Sequence, residues 1–176
     1  MVAVALVLQV TNKYGIKLNL KSVIILSDKY IVMNVFQLNY DTRLRSWYEL
    51  RSQIEGTSIQ HKCIEIDKWW QYAPLVNHHL HILDSENWPG PWDLLVENTY
   101  CTVARALGMC YTLLLTGVED IVLVEATDMQ GEDMVLVLVD RAKYVLNYWP
   151  DTVVNNNSND FSIKRHIDVS SIKLKL

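Results

Sequence analysis

The chain has 176 residues, half of them hydrophobic and a fifth charged, with a formal net charge of −4 at pH 7. This ordinary globular balance predicts one domain with a sizeable core. With no basic cluster, nothing favours nucleic-acid binding through phosphates. The apolar opening MVAVALVLQV is too short to span a bilayer and lacks the basic start of a secretion signal, so no membrane association is predicted.

The first forty residues predict a β-rich segment, with strands at 2–10, 16–26 and 29–38, ahead of a main domain at 41–176. An alternative stays open at Met33, which begins MNVFQLNYDTRLRSW and would make a reasonable protein start. Residues 1–32 would then lie upstream of the natural protein. Mass spectrometry of native material decides this, because a peptide from residues 20–30 would exclude the later start.

Two helices are predicted next. The first is capped by Asp41 or Thr42 and closed by Gly56, and the second spans residues 61–72 before Pro74. Their apolar faces are predicted to hold Leu44, Trp47, Tyr48, Arg51 and Ile54 in the first, and Cys63, Ile66, Trp69 and Trp70 in the second.

The segment VNHHLHIL places three histidines at positions 78, 79 and 81. A metal site is one interpretation, since His79 and His81 share a face of an extended chain. No carboxylate or cysteine nearby completes a recognisable ligand set, which favours a loop or strand with hydrogen-bonded imidazoles. No metal and no cofactor are therefore predicted.

A rigid turn, DSENWPGPWDLL, leads through a short helix at 92–96 into the central helix. Trp88 and Trp92 flank the turn and are expected to hold it against the core. The central helix is predicted from a cap at Asn98 or Thr99 to Gly117, with Cys101 in its first turn. Gly108 in its middle indicates close packing.

The C-terminal third predicts strands at 120–126, 134–140 and 142–150, followed by an edge strand from Phe161. The predicted fold class is therefore α+β, with a central helix, a cysteine at its N-terminus, packed on an antiparallel sheet. Six tryptophans and nine tyrosines fill the core or form an aromatic-rich assembly surface, and both interpretations stay open.

Three cysteines, Cys63, Cys101 and Cys110, allow no complete pairing and have no metal-type spacing. This indicates reduced thiols and a cytoplasmic location in the producing cell. Cys101 lies where a helix dipole lowers the pKa of a thiol, which is a recurrent setting for a nucleophile.

Residues 88–150, about a third of the chain, resemble the transglutaminase-like branch of the papain-type cysteine hydrolases, particularly the bacterial transglutaminase-like cysteine proteinases. The resemblance implies that Cys101 matches the nucleophile and that Asn147, in YVLNYWP, matches the residue that orients the base. The family's histidine is expected just before MVLVLVD, where this chain has Glu132 and Asp133. Asp133 therefore occupies the place of the base.

Without a histidine there, the resemblance implies an inactive transglutaminase-like domain with a structural or protein-interaction role, since a cysteine hydrolase needs an imidazole near its thiol. WPGPWDLL and YCTVARALG are similar to proteins of large tailed bacteriophages, which implies a place in or around a virion. The alternative is an active peptidase or amide-transferring enzyme that recruits a histidine from 78–81 or His166. Cys101 itself is a catalytic vestige, a core residue or a working thiol.

Overall fold

The computed structural model describes residues 6–11, 17–26, 29–32, 34–77, 80–149, 152–155, 160–167, 169 and 172. Four α-helices lie within them: α1 (Tyr40–Ile54), α2 (Ile59–Gln71), α3 (Pro91–Glu97) and α4 (Thr102–Leu115). The strands of the same residues are β1 (Leu6–Thr11), β2 (Lys17–Leu26), β3 (Lys29–Val32), β4 (Ile121–Asp128), β5 (Asp133–Val139), β6 (Tyr144–Trp149), β7 (Thr152–Asn155) and β8 (Phe161–Ile167).

The main sheet has five antiparallel strands in the order β7-β6-β5-β4-β8. The predicted strands from residue 120 onward are confirmed, including the edge strand β8. Strand β7, in the polar stretch after Trp149, was not predicted. The N-terminal strands form a separate antiparallel sheet in the order β1-β2-β3.

Some predicted boundaries were wrong. The third N-terminal strand ends at Val32, and Val35–Gln37 form a 3-10 helix capped by the Asn34 side chain. Helix α1 is capped by Asn39, which precedes the predicted caps, and α2 begins two residues earlier than predicted, after Ser58. Asn and Ser caps bond the free amide hydrogens of the first turn.

The buried face of α1 also differs from the prediction. Its buried residues are Arg43, Trp47, Leu50 and Ile54. Tyr48, predicted to face the core, is 63% exposed. The buried Arg43 guanidinium donates to the carbonyl of Leu95 at 2.8 Å. This bond places a positive charge at the C-terminus of α3 and satisfies a carbonyl that has no partner within the helix.

Helix α4 packs against β5 and β6 and against α2, which itself contacts β6 and β7. Gly108 makes the α2 contact possible, because a Cβ added there would overlap the six-membered ring of Trp70. The close packing predicted at this glycine is confirmed. The opposite face of the sheet carries a second apolar cluster formed by Val124, Ala126, Leu136, Leu138 and Val145.

Thr112 joins three helices in the core through its hydroxyl group. That oxygen accepts the indole N–H of Trp47 at 2.8 Å and of Trp70 at 2.9 Å, and the hydroxyl donates to the carbonyl of Gly108 at 2.7 Å. A threonine hydroxyl has one donor and two acceptor positions, so all three are filled. This junction fixes α1 and α2 against the middle of α4.

Candidate functional site at the start of helix α4

Cys101 is the N-cap of α4, in extended conformation, and its side chain makes no capping bond. The residue is 2% exposed. The predicted caps Asn98 and Thr99 were wrong, because Asn98 adopts a left-handed conformation (φ 52°) that ends α3. Two further residues connect the helices, and α4 begins only after Cys101.

Asn147 lies beside the first turn of α4. Its side-chain amide nitrogen donates to the carbonyl of Val135 on β5 at 2.8 Å and to the carbonyl of Thr102 at 3.3 Å. Its φ of 63° is left-handed, a conformation that asparagine tolerates better than most residues. The structure therefore places Asn147 beside Thr102, the residue that follows Cys101.

Asp67 of α2 completes this arrangement and was missed by the sequence reasoning. One carboxylate oxygen accepts the backbone N–H of Asn147 at 2.8 Å and the side-chain amide of Gln71 at 3.5 Å. The residue is 1% exposed. The only feature of the sequence that indicates its burial is its position, four residues after Cys63 on the buried face of α2.

Arg105, one turn into α4, places a positive charge in the same region. Its terminal nitrogens donate to Gln71 Oε1 at 2.8 Å and to the carbonyl of Ala73 at 2.9 Å. Burial lowers the pKa of the Arg105 guanidinium, and the negative charge of Asp67 acts in the opposite direction. Arg105 thus bonds to the C-terminal end of α2 and places its positive charge close to the buried carboxylate of Asp67.

Asp133, the residue at the expected place of the base, points elsewhere. It opens β5, its side chain is 63% exposed, and its carboxylate forms an ion pair with Lys164 on β8. Strand β8 lies on the β4 side of β5, whereas Asn147 lies on β6, on the other side. Glu132 is an exposed residue of the preceding turn. Asn147 thus lies against Thr102, next to Cys101 in the chain, whereas the Asp133 carboxylate is directed to β8.

His166 and His61 lie far from Cys101. His166 pairs with Val124, whose side chain belongs to the cluster on the sheet face away from α4. Strands β4 and β5 also lie between His166 on β8 and Asn147 on β6, a separation of about 14 Å. His61 begins α2 beside Lys62, whose ammonium group bonds the carbonyl of Thr116 at the far end of α4, about 20 Å from Cys101.

The cluster at 78–81 is described only in part. His81 is exposed, and its Nδ1 accepts the backbone N–H of Leu83 at 3.3 Å. His78 and His79 lie outside the described residues. Among the residues that are described, no three His, Cys, Asp or Glu side chains come together as a metal site.

The Cys101 thiol makes no hydrogen bond with any described residue, histidines included. All three cysteines are free and buried. Burial raises the pKa of Cys110 to about 12, and burial together with the charge of Asp67 raises that of Cys63 to about 12. None of the described helices is long and apolar enough to cross a bilayer.

No family model and no curated protein matches this sequence. Solved structures of LapG from Legionella pneumophila are similar in fold. The calcium-bound form superimposes with a TM-score of 0.63 at 11% identity, covering 75% of this chain and 77% of that one. The EGTA-treated form gives a TM-score of 0.62 at 10% identity, covering 74% of each chain.

The chain has the transglutaminase-like α+β fold. The predicted fold class is therefore confirmed. Identity this low shows the fold alone, and the roles of Cys101, Asn147 and Asp133 in this fold depend on their own surroundings. Asn147 is surrounded by backbone carbonyls and the buried carboxylate of Asp67, whereas the exposed Asp133 is paired with Lys164.

Proposed function

We propose that this chain is a catalytically inactive transglutaminase-like domain that serves as a structural or protein-interaction component. The observation that carries the proposal is the state of Cys101, which is 2% exposed and whose thiol has no hydrogen-bond partner among the described residues. A thiol nucleophile needs a general base within hydrogen-bond reach to take its proton.

The surroundings of Asn147 support the same conclusion. In a cysteine hydrolase the base lies between the nucleophile and the orienting residue. The Asn147 side-chain amide instead donates to the backbone carbonyls of Val135 on β5 and of Thr102. It therefore binds β5 to the first turn of α4, and none of the described residues that it contacts is an imidazole.

Thiol alkylation tests the proposal. We expect iodoacetamide to modify Cys101 much more slowly in the folded protein than in the unfolded one, because the residue is 2% exposed. Mass spectrometry of the digested protein separates Cys101 from Cys63 and Cys110, and the variant Cys101→Ala identifies its peptide. Protein unfolded in urea is the control, in which all three thiols should react alike.

Alkylation of Cys101 that is faster in the folded protein than in the unfolded one would contradict inactivity and favour the rival function, an active peptidase or amide-transferring enzyme. The position of Cys101 at the start of α4 is the observation that favours this rival. The variants His78→Ala, His79→Ala and His81→Ala then identify the recruited base, because only its loss should slow the alkylation.

The proposal extends to a place in or around the particle of a tailed bacteriophage, supported by the resemblance of WPGPWDLL and YCTVARALG alone. Peptides of this chain in purified particles, at a constant ratio to the other virion proteins, are the expected result. Their absence from such particles, with the chain present in the lysate, would exclude a virion role.

A further inference from the structure

A groove runs along the outward face of α1. Its first part, a cavity of about 560 Å³, is lined by Asp41, Leu44, Arg45, Tyr48, Arg51 and Trp92. A second cavity of about 390 Å³ shares Tyr48 and Arg51 and continues to the end of α4 at Leu115–Gly117. The α1 residues follow one another at three- and four-residue steps, so they form one stripe of the helix.

Arg51 lies at the centre of this α1 groove, surrounded by aromatic rings. Its guanidinium carbon is 4.1 Å from the ring centroid of buried Trp47 and 5.9 Å from those of Tyr48 and Trp92. Trp92, predicted to pack against the core, is 43% exposed. Two exposed aromatic side chains thus flank a cation that is stacked on a buried ring.

Asp41 and Glu55 also line the groove, and neither forms an ion pair with its arginines. Arg51 Nε donates to the carbonyl of Trp47 at 3.4 Å, and no ion pair joins Arg45 or Arg51 to any carboxylate in the part of the chain that is described. Burial lowers the pKa of Arg51. Arg51 lines both cavities, and a guanidinium can bind a carboxylate through two parallel hydrogen bonds.

We propose that the α1 groove binds a protein partner through a short segment that presents an aspartate or glutamate to Arg51 and an apolar side chain between Tyr48 and Trp92. Tyrosine, tryptophan and arginine are the residues enriched at the centres of protein interfaces. The two cavities have the size of sites that hold a few side chains.

This inference rests on the interaction role in the proposed function and supplies the surface for it. The groove is distinct from the Cys101 site, since its second part lies at the other end of α4, about 20 Å away. A failure of one proposal is therefore distinguishable from a failure of the other, because alkylation reports on Cys101 and peptide binding reports on Arg51.

The test uses the full chain and an array of synthetic octapeptides in which Leu, Phe, Pro and Gly flank a central Glu or Gln. Fluorescence polarisation then gives the Kd of the best Glu peptide and its Gln match. We expect the Glu peptide to bind about tenfold more tightly or better, as a charged hydrogen-bonded pair requires.

The variant Arg51→Gln should raise the Kd of that peptide at least about tenfold, and Tyr48→Ser should raise it about threefold. The Kd of Arg51→Lys should lie between those two values. Arg141→Gln, an exposed arginine in the β5–β6 turn, makes the same charge change outside the groove and should bind like the unmodified protein. Circular dichroism confirms that each variant is folded; Tyr48, being exposed, can be replaced without disturbing the core.

Three results would overturn the proposal: no peptide bound, equal affinity for Glu and Gln peptides, or unchanged binding in Arg51→Gln. Analytical ultracentrifugation tests the alternative that the groove binds a second copy of this chain. A dimer that Arg51→Gln dissociates would assign the groove to self-association and likewise reject the peptide partner.

Discussion

The start of α4 and the groove along α1 differ in how their polar groups are satisfied. Around Cys101, Asn147 and Asp67 bond to groups within the chain, and these bonds connect α2, α4, β5 and β6. In the groove, Arg45 and Arg51 face a cavity and have no described acidic partner. This closed region stabilises the fold through internal bonds and also buries some atoms without a hydrogen bond, such as Arg105 Nε, whereas the arginines of the groove are available to a ligand.

The comparison shows that a family resemblance and an available binding surface can lie in different places. The resemblance pointed to Cys101 and the residues around it. The polar groups that a partner can reach lie instead on the exposed side of the helical layer, on residues that the resemblance does not include.

Alkaline instability is the largest effect expected from the closed region. The folded protein holds the protons of Cys63 and Cys110 to a pKa of about 12, whereas unfolded thiols release them near their ordinary value of 9.0. The unfolded state therefore gains as the pH rises, so stability is complete below about pH 9 and falls between about 9 and 12.

Urea unfolding at pH 8, 9, 10 and 11 measures this fall. Tyr111 contributes in the same direction, since burial raises its pKa to about 12. The variant Cys110→Ala removes one of the titrating groups and should flatten the pH dependence. A free energy of unfolding that stays constant from pH 8 to 11 would show that these thiols are accessible to solvent, and the interior would then not be closed.

Thr112→Val sharpens the comparison at the core junction below both regions. The change leaves the indole N–H groups of Trp47 and Trp70 buried without an acceptor, at about 1–3 kcal/mol each. We expect a loss of about 3 kcal/mol or more in the free energy of unfolding, measured in urea. Because Trp47 is the ring on which Arg51 stacks, peptide binding in the α1 groove should weaken as well.

The matched control is Thr112→Ser, which keeps the hydroxyl and loses only a methyl group, about 1 kcal/mol. Equal stability of the valine and serine variants would mean that the two indole groups find other acceptors. The junction would then contribute packing and little hydrogen bonding.

Asn147→Asp gives the smallest of the three effects and tests whether this residue supports the fold or orients a base. A carboxylate cannot donate to the carbonyls of Thr102 and Val135, so we expect a loss of about 2 kcal/mol, read from urea unfolding. Asparagine and aspartate both tolerate a left-handed conformation, so backbone strain at position 147 should not contribute to the difference in unfolding free energy.

Asn147→Gly removes the side chain without adding a charge, and it should be less destabilised than Asn147→Asp. If the aspartate variant keeps full stability and its Cys101 thiol alkylates faster, Asn147 would be an orienting residue, and the start of α4 a site poised for catalysis.

The sequence predicted the fold well where the signal is local. Gly108 indicated a close contact because no other residue leaves room for a tryptophan ring against a helix. The apolar runs that begin at Ile121 and directly after Asp133 predicted the bounds of β4 and β5 to within a few residues. Strands that are buried on both faces consist almost entirely of hydrophobic residues.

Prediction failed where a distant contact decides. Tyr48 follows Trp47 on α1, but the packing of α1 against the rest of the fold, including the Thr112 junction on α4, buries Trp47 and leaves Tyr48 exposed. Asp67 has the composition of an ordinary surface carboxylate, and its burial depends on Asn147, eighty residues away. Asn98 has the residue type of a helix start but ends α3, because asparagine suits both positions.

The contact between Gly108 and Trp70 has a consequence for how this protein can change over evolutionary time. Any side chain at position 108 collides with the indole, and a smaller residue at position 70 leaves a void and frees one acceptor position on Thr112. Each single substitution is therefore costly, while a paired exchange, larger at 108 and smaller at 70, restores the volume. Homologous sequences should accordingly vary at these two positions together.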